Sequence, residues 1–448
     1  MTGRLEELAH KMLDAAKRAG ADSADALAVD GTSVSIEVRV GALEHAERSE
    51  GIDLGLRVLV GQRQACVSVS DASDHSIAVM AERAVAMAKE APKDDSLGLA
   101  DPDQLARDWD IAALDLEDPE PEPTPETLQS LALEAEAAAL AVQGVAQTQS
   151  AGSGASRTRI HLAASNGFSG GYARSSVSTS CVAVAGEGLA MERDYAGEAR
   201  SHFAELPSAT EIGTLAGERA IARTGATRPP TGAYPVLFDE RIAASLIGHL
   251  VGAISGTAIV RGASWLKDAM GTEVLPKGLS LIENPTRPRM AGSRPFDAEG
   301  LPATTRTIVE NGILQNWTLD LGTARKLGLS STGNASRGVS GPPSPSTGNL
   351  ALTQGTKSKE ELLADMGTGL WVTSMIGSTI NPNTGDYSRG AAGFWVENGQ
   401  ITGPVNECTV AGNLRDMLRN IHPANDARAH LSRVVPSLLV EGLTIAGA

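Results

Sequence analysis

Gly393-Phe394-Trp395-Val396-Glu397-Asn398-Gly399, with Ile401 just beyond, reads as a strand, an Asn–Gly turn and a returning strand. Asn and Gly tolerate the left-handed backbone that a two-residue hairpin turn demands. Upstream lie Ser374–Arg389 (SMIGSTINPNTGDYSR) and Ser330–Arg337 (SSTGNASR). In them Gly333, Gly377 and Gly385 permit φ > 0, and Asn334, Asn381 and Asn383 can close local turns with their side chains. From about Gly278 to Ala448 the chain is mostly short strands and Gly/Asn/Pro turns, with small helices near Lys357–Ala364 and Asn413–Asn420. Residues 229–448 are therefore expected to form a β-rich, barrel-like domain. Pro229-Pro230-Thr231-Gly232 marks its start, followed by a strand at Tyr234–Phe238 and an apolar helix at Asp239–Gly256.

Residues 1–228 read as a helix and curved-sheet domain, which makes the whole chain α+β. Leu5, Leu8, Met12, Leu13 and Ala16 recur at helical spacing, and Gly20 stops the run. Strands are expected at Ser33–Val40, Ile52–Val60 and Gln64–Ser70, and an Ala-rich helix at Ser76–Lys89. Asp101–Glu126 is acidic and proline-rich and reads as an extended solvated loop. Thr124-Pro125-Glu126 then offers an N-cap, a first-turn proline and an early carboxylate for a helix to about Val142. Gly144–Arg200 suggests short Ser/Thr/Gly-rich strands with turns at Asn166-Gly167 and Gly170-Gly171. A further helix covers about Ser208–Thr224.

Composition narrows the function. The 448 residues carry 54 acidic and 38 basic side chains, a net charge of -16, which disfavours a phosphate backbone as partner. Aromatics are only 3%, too few for base-stacking surfaces. No run of about 18 apolar residues suggests a membrane span. The charged N-terminal stretch lacks the apolar core of a signal peptide. Cys66, Cys181 and Cys408 are odd in number and far apart, pointing to a reducing, cytoplasmic setting.

Familiar catalytic motifs are missing. No GxxxxGK[ST], no CxxC pair and no GxGxxG between strand and helix occurs. Gly167–Gly171 (GFSGG) matches GxSxG but leads into strand-like sequence, where a nucleophile elbow must open a helix. His249 alone lies in an apolar helical run, with no Glu, Asp, Cys or second His near it in sequence to complete a metal site. The Gly/Asn segments read either as tight connections in a curved sheet or as a groove edge. In the second reading, exposed backbone pairs with an extended peptide.

STGNASR, MIGSTINPNTGDYSRGAAGFWVENGQITGPV and VAGNLRDML, in this order, resemble the C-terminal domain of the TldD/PmbA family. Arg39–Arg63 and the acidic DPEPEPTPE loop resemble it too, so the likeness spans the chain and is nearer the PmbA branch, also called TldE. The resemblance implies a two-subunit cytoplasmic protease for unfolded or extended peptides. Its TldD-type subunit carries zinc on an HExxxH helix. The older family description, modulator of DNA gyrase, implies no DNA binding. At the matching helix this chain reads Ala244-Ser245-Leu246-Ile247-Gly248-His249, so only the last histidine remains, and Cys408 does not match the further ligand position. The resemblance therefore implies a subunit with no metal or other cofactor of its own, with zinc on a TldD-type partner, in a dimer or higher oligomer. Gly333, Asn334, Gly377, Asn381, Gly385 and Asp386 are the candidate peptide-contacting positions. An independent metallopeptidase built around His249, or a homodimeric peptide-binding protein, are the alternatives.

Overall fold

The structure, a computed structural model, describes residues 2–448. The N-terminal half runs α1 (Thr2–Ala19), β1 (Ser23–Arg39), β2 (Ala42–Leu59), β3 (Gln64–Val69), α2 (Asp74–Glu90), the single turn α3 (Ile111–Leu114) and α4 (Pro125–Ala141). It continues with β4 (Val145–Ala164), β5 (Ser169–Ala185), β6 (Glu192–Arg200) and α5 (Ala209–Ala222). Its strands form one six-stranded antiparallel sheet in the order β3-β2-β1-β4-β5-β6.

All four long helices cover one face of that sheet. Leu5, Leu8 and Met12 of α1 and Met80 and Val85 of α2 pack on Ala26, Leu54 and Leu56. Leu128, Ala132 and Ala135 of α4 and Ile212 and Ala216 of α5 pack on Ile36, Ala151 and Cys181. Small residues also bring neighbouring helices close: a Cβ on Gly213 of α5 would stand 2.0 Å from the Ala135 carbonyl oxygen of α4. Thr124 caps α4 as read from sequence, with Pro125 in its first turn.

Three expectations need correction. The strands after Gly144 are long, because each residue of β4 from Ser150 onward is laddered to β1, β5 or both. Asn166-Gly167 is a turn, whereas Gly170 and Gly171 lie inside β5. They are glycines because Cβ atoms there would meet Phe296 at 2.8 Å and His161 at 2.7 Å. The Asp101–Glu126 segment is not simply solvated: Ala106, Leu114 and Leu116 are buried, and Trp109 packs against Phe168 and Phe296.

The second half contains β7 (Gly232–Phe238), α6 (Glu240–Ala253), α7 (Gly256–Val260), β8 (Leu281–Glu283), β9 (Arg306–Glu310), β10 (Ile313–Leu314), α8 (Leu321–Leu327), β11 (Ala335–Ser336), β12 (Ser344–Pro345) and β13 (Leu350–Leu352). It ends with α9 (Lys359–Met366), β14 (Gly369–Ile380), β15 (Asp386–Glu397), β16 (Gln400–Asn413), α10 (Leu414–Arg419), β17 (Ile421–Pro423), β18 (Arg433–Val434) and β19 (Leu438–Ala446). Strands β16-β15-β14-β7-β19 are neighbours in that order, and β19 pairs back to β16, closing a five-stranded barrel. The Asn398-Gly399 turn has φ of 52° and 74°, as the β15–β16 hairpin requires. The fold is α+β with a β-rich, barrel-containing second half. The largest core lies here: Leu246, Ile247 and Leu250 of α6 pack on Val236, Phe238, Leu370 and Val440.

The other face of the N-terminal sheet meets this second half. Leu27, Leu162 and Phe168 pack with Phe296, and Asp25 pairs with Arg57 (Nε to Oδ2, 2.6 Å) and with Arg337 of SSTGNASR. All three charged side chains are nearly inaccessible, at 4%, 4% and 1% exposure. A buried carboxylate between two guanidiniums fixes how the halves meet, since no water can replace a lost partner.

Candidate functional site

Helix α6 starts from the Asp239 cap, whose carboxylate accepts the Arg241 N–H at 3.2 Å. Its apolar face (Ala243, Leu246, Ile247, Leu250, Ala253) enters the core, leaving Ala244, Ser245, Gly248 and His249 half-buried. Four residues apart, Ser245 and His249 share a face of the helix. Neither Ser245 Oγ nor His249 Nε2 has a hydrogen-bond partner, although both atoms are buried. The His249 ring lies edge-on to Tyr387, centroids 5.9 Å apart. Burial first, then the Arg389 charge, lower the imidazole pKa and keep it neutral.

Tyr387 and Arg389 come from β15, opposite a break in β14. There the ladder slips between Ile376 and Thr379, Gly377 takes φ 69°, and its carbonyl accepts Arg389 Nε at 2.6 Å. Ile376 beside it is 76% exposed. Tyr387 donates its hydroxyl to Met375 Sδ at 3.3 Å, and burial pushes it up to about 12. Sequence reading singled out Gly377 and missed Tyr387 and Arg389, although both lie inside the quoted motif. No local rule distinguishes them from ordinary strand residues.

Asn381, Gly385 and Asp386 form the β14–β15 turn. Gly385 N–H donates to the Asn381 carbonyl at 2.8 Å, and Asn413 donates to Asp386 Oδ1 at 3.0 Å. Thr384 and Asn413 hold the Asp386 carboxyl below its ordinary value. Trp265 packs under Gly385, where a Cβ would stand 3.3 Å from the indole. The Asp386 carboxylate and the Gly385 carbonyl, which accepts the Leu414 N–H, tie the turn to the β16–α10 junction, while the Asn381 side chain accepts the Asn383 N–H inside the turn.

Gly333 and Asn334 are elsewhere. Asn334 is buried and donates to both Glu283 oxygens at 3.0 Å and to the Ser346 carbonyl at 3.1 Å. Gly333 has φ 67° and abuts the Pro302 carbonyl, 2.7 Å from a would-be Cβ. The six candidates thus divide between an accessible barrel hairpin and a buried polar joint. Asn334 offers nothing to a peptide at the surface.

Donor chemistry around α6 does not fit zinc. Ala244 and Ser245 stand where an imidazole and a carboxylate would be needed, and Arg389 places a cation beside His249. Cys408 is no substitute: it is buried, donates to the Ala391 carbonyl at 3.2 Å, and burial pushes it up to about 11. Among the described residues, no group of three or more His, Cys, Asp or Glu side chains is arranged to hold a metal ion.

Residues 24–88, 118–224 and 231–447 match, respectively, PmbA/TldA metallopeptidase domain 1, central domain and C-terminal domain. The chain belongs to the PmbA/TldD metallopeptidase family. It is 36% identical to Metalloprotease PmbA of Escherichia coli O157:H7 over 444 residues, covering 99% of this chain and 96% of that one. It is also 36% identical to the Metalloprotease PmbA homolog of Haemophilus influenzae, covering 97% and 94%. A crystal structure from Bacteroides thetaiotaomicron, described only as a candidate modulator of DNA gyrase, superimposes with TM-score 0.90 at 26% identity, covering 99% and 98%. The fold is shared with TldE from Thermococcus kodakarensis, TM-score 0.85 at 19% identity, covering 98% and 100%. No helix among the described residues is long and apolar enough to cross a membrane.

Proposed function

We propose that this chain is the non-catalytic subunit of a cytoplasmic PmbA/TldD-type metalloprotease that degrades or trims unfolded or extended peptides. The observation that carries the reading is Ala244 and Ser245 at the two positions a hydrolytic zinc helix cannot leave empty of donors. Zinc, which polarises the scissile carbonyl and supplies a nucleophilic water when bound, belongs to a TldD-type partner subunit. What remains here suits positioning. Arg389 fixes the Gly377 break, and the β14–β15 hairpin presents main chain. Main-chain pairing accepts almost any side chain, which fits a broad peptide range. Neither nucleic acid nor a membrane is required as partner.

Purified chain, a purified zinc-bearing paralogue and their mixture should be compared on unfolded casein. Cleavage only in the mixture, unchanged by His249→Ala in this chain, is expected. Equal cleavage by the paralogue with and without this chain would sink the proposal.

A further inference from the structure

Strand β6 ends the N-terminal sheet, with β5 on one side and no strand on the other. The Tyr195 N–H donates to Asp194 Oδ1 at 2.7 Å and the Tyr195 carbonyl accepts Arg219 Nη1 at 3.0 Å, so the main chain of Tyr195 faces away from β5. The β5–β6 ladder has no bulge, so the main chain of Gly197 and Ala199 faces the same way. The Ala199 carbonyl accepts Arg200 Nη1 at 2.8 Å. The Gly197 N–H and carbonyl and the Ala199 N–H have no partner among the described residues, and both residues are exposed.

Two recesses meet at this point, and Gly197, Glu198 and Arg428 line both. Cys181 and Ala196 pack under α5, so their neighbours Ser180 and Gly197 point to the opposite face. There the first recess, about 510 Å³, has Ser178, Ser180 and Gly197 as its floor and Met290 and Leu431 of the second half beside it. The second, about 550 Å³, lies on the α5 side against Pro207, Ile212 and Leu215. Side chains of an extended peptide alternate between the two faces of a sheet, so a strand laid beside Gly197 enters both recesses in turn. Each recess also carries a cation without a counter-ion. Arg174 in the first donates to the Ala291 and Ser293 carbonyls at 2.7 and 2.8 Å, and Arg219 in the second to the Tyr195 carbonyl; neither is paired with a carboxylate among the described residues. The acids nearby are engaged: Glu198 by Arg200 and Arg428, Glu205 by Arg289, and Glu211 by the Ser208 N–H. In a chain of net charge -16, two such guanidiniums favour acidic side chains.

We infer that the β6 edge takes an extended acidic peptide as an added strand, held by the main chain of Gly197 and Ala199, with its side chains divided between the two recesses. This edge belongs to a different sheet from the β14–β15 hairpin, and the inference does not rest on the peptidase reading.

Binding is measured on the full chain by fluorescence anisotropy of a fluorescein-labelled octapeptide, Ala-Glu-Leu-Ala-Glu-Leu-Ala-Gly, which offers one Glu and one Leu to each face. Saturable binding is expected. Ala199→Pro removes an outward N–H that no ladder bond uses, and should weaken binding about tenfold or more. Arg174→Gln and Arg219→Gln should each weaken it about tenfold, as should Lys in place of both Glu residues of the peptide. Methylating the peptide amides one at a time should weaken binding at alternate residues, because one edge of the peptide pairs with β6. No binding up to about 1 mM peptide, or an affinity that neither Ala199→Pro nor the arginine substitutions move, overturns the inference. So does loss of binding in Arg389→Ala with Ala199→Pro unaffected, which would put the peptide on the barrel hairpin. If circular dichroism shows that Ala199→Pro does not fold, the methylated peptides decide, and an absence of alternation overturns the inference.

Discussion

Replacing Glu299 with glutamine should flatten the dependence of stability on pH between about 4.5 and 8. Glu299 is buried beside Asp297 and accepts the Leu321 N–H at 2.8 Å. Burial first, then the Asp297 charge, push its carboxyl from an ordinary 4.5 up to about 8. Between those values the folded chain holds a proton that the unfolded chain has released, so stability falls as pH rises through this window. At about 1.4 kcal/mol for each factor of ten, the ceiling is roughly 4–5 kcal/mol. Asp297 and Arg57 respond to the same charge, so about 2–4 kcal/mol is the expected share. Urea unfolding of both proteins at about pH 5, 7 and 9 measures it. The two should be similar at the lowest pH, with the glutamine variant gaining over wild type by about 2–4 kcal/mol at the highest. Parallel pH curves would refute the reasoning, because Glu299 would then be ionised in both states.

Three further substitutions probe the scaffold. Arg337→Met leaves Asp25 with one guanidinium in a buried joint, and should cost about 3–5 kcal/mol in urea unfolding. Ser245→Ala removes a buried, unpartnered hydroxyl and should raise stability by about 1 kcal/mol, seen as a higher Tm. Gly393→Ala places a Cβ 1.9 Å from the Trp371 carbonyl oxygen across the β14–β15 ladder, and should cost about 3 kcal/mol or more, or prevent folding. Circular dichroism with a melt separates those last two outcomes.

What the sequence disclosed follows from where the signals are local. The Asn398-Gly399 hairpin and the Thr124-Pro125 helix start are set by their own backbone chemistry, and both stand where expected. The long β4 was harder to read because its helix-facing positions include Ala151, Ser153 and Ala155, small residues that let Ala-rich helices approach and mute the apolar alternation. Gly170 and Gly171 resemble a turn for a related reason: the missing Cβ atoms make room for Phe296 and His161, which only the tertiary fold brings there. Asn334 looked like a surface turn former and is instead a buried donor to Glu283, a partner 51 positions away. The altered zinc helix was legible as Ala244 and Ser245, but the cation of Arg389 beside His249 was not, since it requires knowing how β15 lies against α6.

Whether this chain carries its own metal decides between a silent subunit and an enzyme. Elemental analysis of the untagged chain, expressed alone and assayed for casein cleavage, measures this directly. Substoichiometric zinc with no cleavage is the predicted result. One zinc per chain, lost together with cleavage in His249→Ala, would contradict it and make this chain the protease itself.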